Sequence, residues 1–219
     1  MNNPEAGTLI SIEGGDGAGK STQAAHLVRR LKEAGLAAMH VREPGGTPLG
    51  EELRRLVKGA ANPTGRAELL LFEAARAELV DRVIRPALER GEVVVTDRFS
   101  DSSLAYQGYG RGLGLDAIRA LNAFATGGIM PGLTILLDMP GGEASARIAS
   151  RDGAADAAAR RFENESLEFH RRVADGYRQL AASEPGRWVV VNADRPEEEV
   201  AADIWRHVSR VLGLSAASS

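Results

Sequence analysis

Lys20 and Ser21 close the run Gly14-Gly15-Asp16-Gly17-Ala18-Gly19-Lys20-Ser21, followed by Thr22. Glycine, four residues of any type, then Gly-Lys-Ser is the spacing of a phosphate-binding loop. The glycines let the backbone curl with its N–H groups turned inward, which makes an anion cradle. A helix that starts at the end of such a loop adds about half a positive charge aimed into it. Lys20 is then placed to reach the β and γ phosphates, and the Ser21 hydroxyl to ligate Mg²⁺. The flanks agree with this. Leu9 to Glu13 is a short apolar run that reads as a buried strand, and Ala24, Leu27, Val28 and Leu31 recur at helical spacing. The chain therefore binds a nucleoside triphosphate through residues 14–22.

Other groups with chemical potential are spread along the chain. Asp97 ends the apolar run Val93-Val94-Val95-Thr96. An acid at the end of a strand in a protein with a phosphate loop orients the Mg²⁺ shell, with the helix-capping role of aspartate as the alternative. Arg98 follows it and can grip a phosphate with two parallel N–H groups. Arg42-Glu43-Pro44-Gly45-Gly46-Thr47-Pro48 cannot be regular structure, and it follows a predicted strand, so it faces the ligand side of a sheet. Phe72 and Arg76, four apart on a predicted helix, offer a stacking plate and an edge donor for a flat heterocycle, or else a core ring beside a solvated cation. Ser102, Ser103, Tyr106 and Gln107 add short donors and acceptors near the end of the Asp97 strand.

The elements that must position these residues follow from periodicity. Strands are predicted at Leu9–Glu13, Leu36–Val41, Glu92–Arg98, Leu133–Asp138 and Trp188–Asn192. Helices are predicted from Lys20, over Leu49–Val57, Arg66–Arg90, Leu115–Phe124, Phe162–Ala182 and Glu197–Leu212, with a helix start at Gly142–Ser150. Gly108 to Gly114, with four glycines, reads as a mobile turn, and Gly213 ends the last helix ahead of a frayed tail, 213–219. Strands alternating with helices give an α/β fold: a five-stranded parallel sheet covered on both faces. Without repeats or a linker, residues 1–219 read as one domain. The alanine-rich segment around 147–162 has little apolar bulk to anchor it and reads as a lid, in which Arg147, Arg151, Arg160 and Arg161 are candidate phosphate contacts.

Composition narrows the function. A net charge of -3 gives no electrostatic case for a nucleic-acid or acidic-membrane partner. The absence of cysteine removes disulfides and thiolate metal sites and fits a reducing cytoplasm. Met1 to Glu5 has neither the basic nor the apolar region of a signal peptide, and no apolar run reaches the ~18 residues of a membrane span. Only three of the 27 basic residues are lysines, so a single arginine says little about function and a lysine in the phosphate loop says more. No Asn-Lys-x-Asp guanine-reading segment is present. A second set of polar and aromatic groups faces the loop, which favours phosphoryl transfer between two ligands over a nucleotide-driven switch or assembly module. Another nucleotide or nucleoside kinase of the same fold is the nearer alternative.

The phosphate loop, Arg42-Glu43-Pro44-Gly45-Gly46-Thr47, Asp97-Arg98-Phe99 and Ser102-Ser103-Leu104-Ala105-Tyr106-Gln107-Gly108 together resemble the bacterial thymidylate kinases, over nearly the whole chain from about Leu9 to beyond Val191. The resemblance implies transfer of the γ-phosphate of ATP to thymidine 5′-monophosphate (dTMP), with Mg²⁺, in a cytoplasmic homodimer that engages neither nucleic acid nor membrane. It implies that Phe72 stacks on the thymine and Arg76 donates to a thymine carbonyl. Ser103 and Gln107 lie near the base edge, with Ser102 beside them, and Tyr106 packs under the deoxyribose. Asp16 lies near the 3′-hydroxyl, while Arg98 and Arg42, with Glu43 and Pro44 alongside, face the monophosphate. Members without an arginine in the phosphate loop carry catalytic arginines in the lid, and this sequence fits that type. Where the lid of the family ends in an Asp-Arg-x-Glu-like run, this chain has Arg160-Arg161-Phe162-Glu163. The catalytic set is then Lys20, Arg98, Asp16 and the lid arginines Arg161, first, and Arg151.

Overall fold

A computed structural model describes residues 7–59, 62–139, 161–162 and 164–214. The Gly142–Ser150 helix start, most of the predicted lid and the last residues of the tail lie outside these. Five parallel strands, β1 (Thr8–Gly14), β2 (Ala38–Arg42), β3 (Val93–Asp97), β4 (Leu133–Asp138) and β5 (Trp188–Asn192), form one sheet in the order β2-β3-β1-β4-β5. The chain goes from β1 outward to one side of the sheet and then crosses to the other, so the carboxyl end of β1 is the switch point where ligands bind in open α/β sheets. The phosphate loop sits there.

Strand parity decides which side chains go where. Successive side chains of a strand point to opposite faces. Ile10 and Ile12 of β1, with Val93 and Val95 of β3, enter the core under α1 (Lys20–Glu33) and the closing helix α8 (Glu197–Val211), against Leu27, Leu31, Ile204 and Val208. Leu9, Ser11 and Glu13 have the opposite parity. Leu9 joins Val94, Leu79 and Ile84 in the core of the other face. Each fully buried Ile or Val contributes roughly 1.5–3 kcal/mol over its exposed state, which fixes the register. The same parity sends Asp97 toward α1 and Glu13 toward the opposite face. Two acids near the same sheet edge therefore serve two different subsites.

On that second face lie α2 (Pro48–Lys58), α3 (Gly65–Leu79), α4 (Arg85–Glu89), α5 (Ser100–Ser103), α6 (Leu115–Thr126) and α7 (Leu167–Ser183). The helix expected over Arg66–Arg90 is one helical run in which α3 and α4 are joined by a π-helical turn, Val80–Ile84. Of the turn expected at Gly108–Gly114, only Arg111–Gly114 is irregular; Gly108–Gly110 is helical. Leu104–Gly110 forms a second π-helical segment, because Gly108 and Gly110 let it press against Leu115 and Phe169, where a Cβ would come within 2.5 and 2.6 Å. The helix expected from Phe162 begins only at Leu167, where the Ser166 side chain caps it by accepting from Phe169 N. Gly213 adopts a left-handed φ of 64° after α8, as its position suggested. No helix among the described residues is long and apolar enough to cross a membrane.

Candidate functional site

The loop after β1 curls through left-handed Gly17 and Gly19. Gly14 must lack a side chain, since a Cβ there would lie 2.6 Å from Leu137 O. At Gly15 and Gly19, by contrast, no atom lies within 4 Å of a Cβ position, so the cradle opens outward. Lys20 is folded back with Nζ donating to Gly15 O at 2.7 Å. Burial, reinforced by the nearby Arg98 charge, pulls its ammonium down to about 8. Ser21 Oγ donates to Asp97 Oδ2, so a hydroxyl and a carboxylate oxygen meet at the mouth of the cradle. These are hard oxygen donors, the chemistry Mg²⁺ takes.

Across the cleft stands Arg98. It is the residue at which β3 turns into α5, and its φ of 71° is a left-handed conformation that costs a non-glycine residue on the order of 1 kcal/mol. The surroundings hold it there. Arg98 N donates to Ile12 O at 3.1 Å, and the Thr96 hydroxyl donates to Arg98 O at 2.6 Å. The guanidinium is gripped as firmly: Nη2 donates to Asp16 Oδ1 at 2.6 Å and to Tyr106 OH at 2.9 Å, and Nη1 to Gly14 O at 3.1 Å. Desolvation alone would raise Asp16, but Arg98, Lys20 and Lys58 outweigh it and hold the carboxyl at about 2. Tyr106 closes the triangle by donating to Asp16 Oδ2 at 3.1 Å.

Behind Arg98 lies Glu13, which the sequence reading left in the strand. It is fully buried and receives four hydrogen bonds: from Ser11 Oγ, Phe99 N, Ser102 Oγ and Tyr177 OH at 2.8, 2.8, 2.6 and 3.0 Å. Burial first, and then the Asp101 charge, push its carboxyl up. Ser102 and Tyr177 also accept from Arg98 Nη1 at 3.3 and 3.2 Å, so two hydroxyls relay between acid and cation. A charged residue inside an apolar run was the available signal for Glu13. Nothing in the sequence links it to Tyr177.

The second subsite is built on α3. Phe72 is half-buried and lines the cleft beside Phe162, 5.9 Å between ring centroids. Arg76 is not a solvated cation. It is 1% exposed, and all five of its N–H groups are committed, to Glu43 Oε2, Glu73 Oε1, Asn122 Oδ1, Phe99 O and Ser103 Oγ. Burial pushes Glu43 up to about 7 in spite of Arg76, and the like charges of Glu73 and Glu13 add to the rise. Gln107 is buried with its Nε2 on Glu68 Oε1 at 2.8 Å. Arg42 pairs with Glu51 at 3.2 Å and lines the cleft together with Glu43 and Pro44. Arg54 and Lys58 of α2 line it too. The arginine-rich composition hid Arg54.

Lys20, Ser21, Asp97, Asp16, Arg98, Arg42, Phe72, Arg76, Ser102, Ser103, Tyr106 and Gln107 thus share one cleft. Arg161 does not. Expected at the transferring phosphate, it is instead salt-bridged to Glu68 at 2.6 Å, with further bonds to Asn62 Oδ1, Val57 O and Pro63 O. A carboxylate with no exposed surface needs cations, and Glu68 takes both Arg161 and Arg111. Phe162, its neighbour, is the residue that reaches the cleft. Arg147, Arg151 and Arg160 lie outside the described residues.

Comparison with known proteins agrees with this geometry. The sequence model of the thymidylate kinase family matches residues 12–204. A thymidylate kinase of a Synechococcus strain is 52% identical over 209 residues, which is 95% of this chain and 98% of the relative. The thymidylate kinase of Deinococcus radiodurans is also 52% identical, covering 93% of this chain and 97% of its own length. The crystal structure of the thymidylate kinase of Ehrlichia chaffeensis superposes with a TM-score of 0.76 at 30% identity, over 93% of this chain and 99% of that one. With a phosphate loop facing an aromatic, arginine-lined subsite and relatives of this extent, the chain belongs to the thymidylate kinase family.

Proposed function

We propose that the whole chain acts as one kinase domain that transfers the γ-phosphoryl group of ATP to dTMP, giving the diphosphate. The observation that carries this reading is the single cleft joining the Lys20 cradle to the Phe72–Arg76 subsite, with Arg98 between them. Phosphoryl transfer asks little covalent chemistry of the protein; it asks for alignment and for positive charge around the moving group. Lys20 and the N–H groups of residues 14–22 neutralise the donor phosphates. Ser21 and Asp97 would hold Mg²⁺, which would supply further positive charge to the donor phosphates. Arg98 and Arg42 hold the acceptor phosphate in line, and Arg98 stays rigid because Asp16, Tyr106, Ser102 and Tyr177 all grip it. No strong general base is needed, since a phosphate monoester with a second pKa of roughly 6 is largely dianionic at neutral pH. With Arg161 held by Glu68, Arg151 is the next of the sequence candidates for the transferring phosphate.

Two experiments bear on this reading. Incubation with ATP labelled at the γ-phosphate should move the label to dTMP, and none should leave ATP when the acceptor is omitted. Phe72→Ala should raise the acceptor KM about tenfold or more with little change in the ATP KM, as loss of a base-stacking ring worth ~1–3 kcal/mol does. Unchanged acceptor kinetics would return Phe72 to a purely structural role.

The protein is further read as a cytoplasmic homodimer. The lack of cysteine supports the compartment. Phe124 of α6, 87% exposed, and Leu70 of α3, 54% exposed, stand on helices that pack against each other, and they are apolar surface that a second copy would cover. Sedimentation equilibrium should return twice the 23.2 kDa chain mass, and Phe124→Asp should return the monomer. A wild-type monomer at micromolar concentration would contradict this.

A further inference from the structure

Behind Arg98, two hydroxyls have their protons claimed by one acid. Ser102 Oγ and Tyr177 OH both donate to Glu13 Oε2, at 2.6 and 3.0 Å, and both accept from Arg98 Nη1, at 3.3 and 3.2 Å. A hydroxyl has one proton, so giving it to Glu13 leaves only lone pairs to face the guanidinium. The charge states agree with this. Against burial and the Asp101 charge, Ser102, Arg98 and Ser11 all favour the ionised form of Glu13. Burial, and then the Glu13 charge, push the Tyr177 phenol up, so it keeps the proton that it donates.

We propose that Glu13 is a positioning residue for the acceptor phosphate: by taking the protons of Ser102 and Tyr177 it presents two oxygens to Arg98 and fixes the guanidinium. This rests on the reading of Arg98 as the group that holds that phosphate. The two carboxylate oxygens divide the work. Oε1 accepts from Phe99 N and Ser11 Oγ, both at 2.8 Å, and ties β1 to the start of α5. Oε2 is spent on the two hydroxyls that face the cation. Glu13→Gln alters that second side alone. Phe99 N–H can only donate, so the amide oxygen keeps the Oε1 place and the NH₂ group takes that of Oε2. The hydroxyls, 2.8 Å apart, then receive from the amide as well as from Nη1. Each can still hand a proton only to the other, so one of the two protons has no acceptor among these groups.

The test compares calorimetric dissociation constants for dTMP and for thymidine, which lacks the phosphate. Glu13→Gln should weaken dTMP binding ~10-fold, the scale of one hydrogen bond to a charged group, and leave thymidine within about twofold. Equal weakening of both ligands, or no weakening of dTMP, would overturn the proposal, since a merely structural acid does not distinguish them. Tyr177→Phe removes one of the two oxygens and should weaken dTMP binding ~3-fold with thymidine again unaffected. It decides the matter if Glu13→Gln fails to fold, and an unchanged ratio there would also overturn the proposal. In the Arg98→Ala background, Glu13→Gln should have no further effect on the ratio. A second drop of the same size would mean that Glu13 does not act through Arg98. Wild-type protein that binds thymidine as tightly as dTMP would instead defeat the reading of Arg98 itself, so the two failures are distinguishable.

Discussion

Lys20→Ala lowers kcat at least ~100-fold, the loss expected when one preorganised charge contact to the transferring group is removed. The side chain is buried with its Nζ on Gly15 O, so it is held at the cradle before any ligand arrives. The variant should keep its fold, because removing a buried ammonium relieves a desolvation penalty. Thermal denaturation beside the rate measurement separates the two effects, and a variant that keeps most of its rate would refute the donor-site assignment. A pH effect accompanies it. Burial, with Arg98 close by, lowers Lys20 to about 8 from an ordinary 10.5, so the free protein loses this charge as pH rises through about 8. Polyphosphate binds the protonated form, hence ATP affinity should fall above that value. Stability should move the other way. Between about 8 and 10.5 the unfolded chain holds a proton that the folded chain has released, so this group's contribution to stability rises with pH. ATP affinity equal one unit on either side of pH 8 would contradict the pulled-down ammonium.

Arg98→Ala is expected to cost more, about 1000-fold in kcat/KM for dTMP, or ~4 kcal/mol, the scale for truncating one partner of a buried, hydrogen-bonded charge pair. Two losses combine. The acceptor phosphate loses its bidentate clamp, and Asp16 loses the cation that does most to hold its carboxyl at about 2. Arg98→Lys should recover only a small part, since one ammonium cannot serve Asp16, Tyr106, Gly14 O and the two hydroxyls that bridge to Glu13 at once. Retention of most of the activity in the lysine variant would show that the fork geometry is unimportant.

Much of this site could be read from the chain because its chemistry is local. The phosphate loop is contiguous, Asp97-Arg98 ends a strand of four apolar or β-branched residues, and Phe72 and Arg76 share a helix face. The strand ends at Asp97 and Asp138 follow from where apolar runs stop. What stayed hidden is carried by partners far apart in sequence. Glu13 and Tyr177 are 164 positions apart and meet only because α7 packs back over the π-helical segment. Arg161 looked like a lid cation because its neighbours are cations, yet buried Glu68 claims it. The alternative of a solvated Arg76 fails for the same reason, because packing surrounds it with two acids, an amide, a carbonyl and a hydroxyl, mostly from segments distant in sequence. The π-helical segment at Leu104–Gly110 was unreadable for a related reason: its glycines mark close approach to α6 and α7 and not a turn, and spacing alone does not distinguish the two.

The central claim is that one cleft joins ATP to dTMP. Its most direct test is ADP release, followed by a coupled assay with ATP and Mg²⁺ across a panel of nucleoside monophosphates. The account predicts rapid turnover with deoxythymidylate, slower turnover with deoxyuridylate and negligible turnover with ribonucleotides. Fast release with a different acceptor, or ADP release that no monophosphate stimulates, would contradict it.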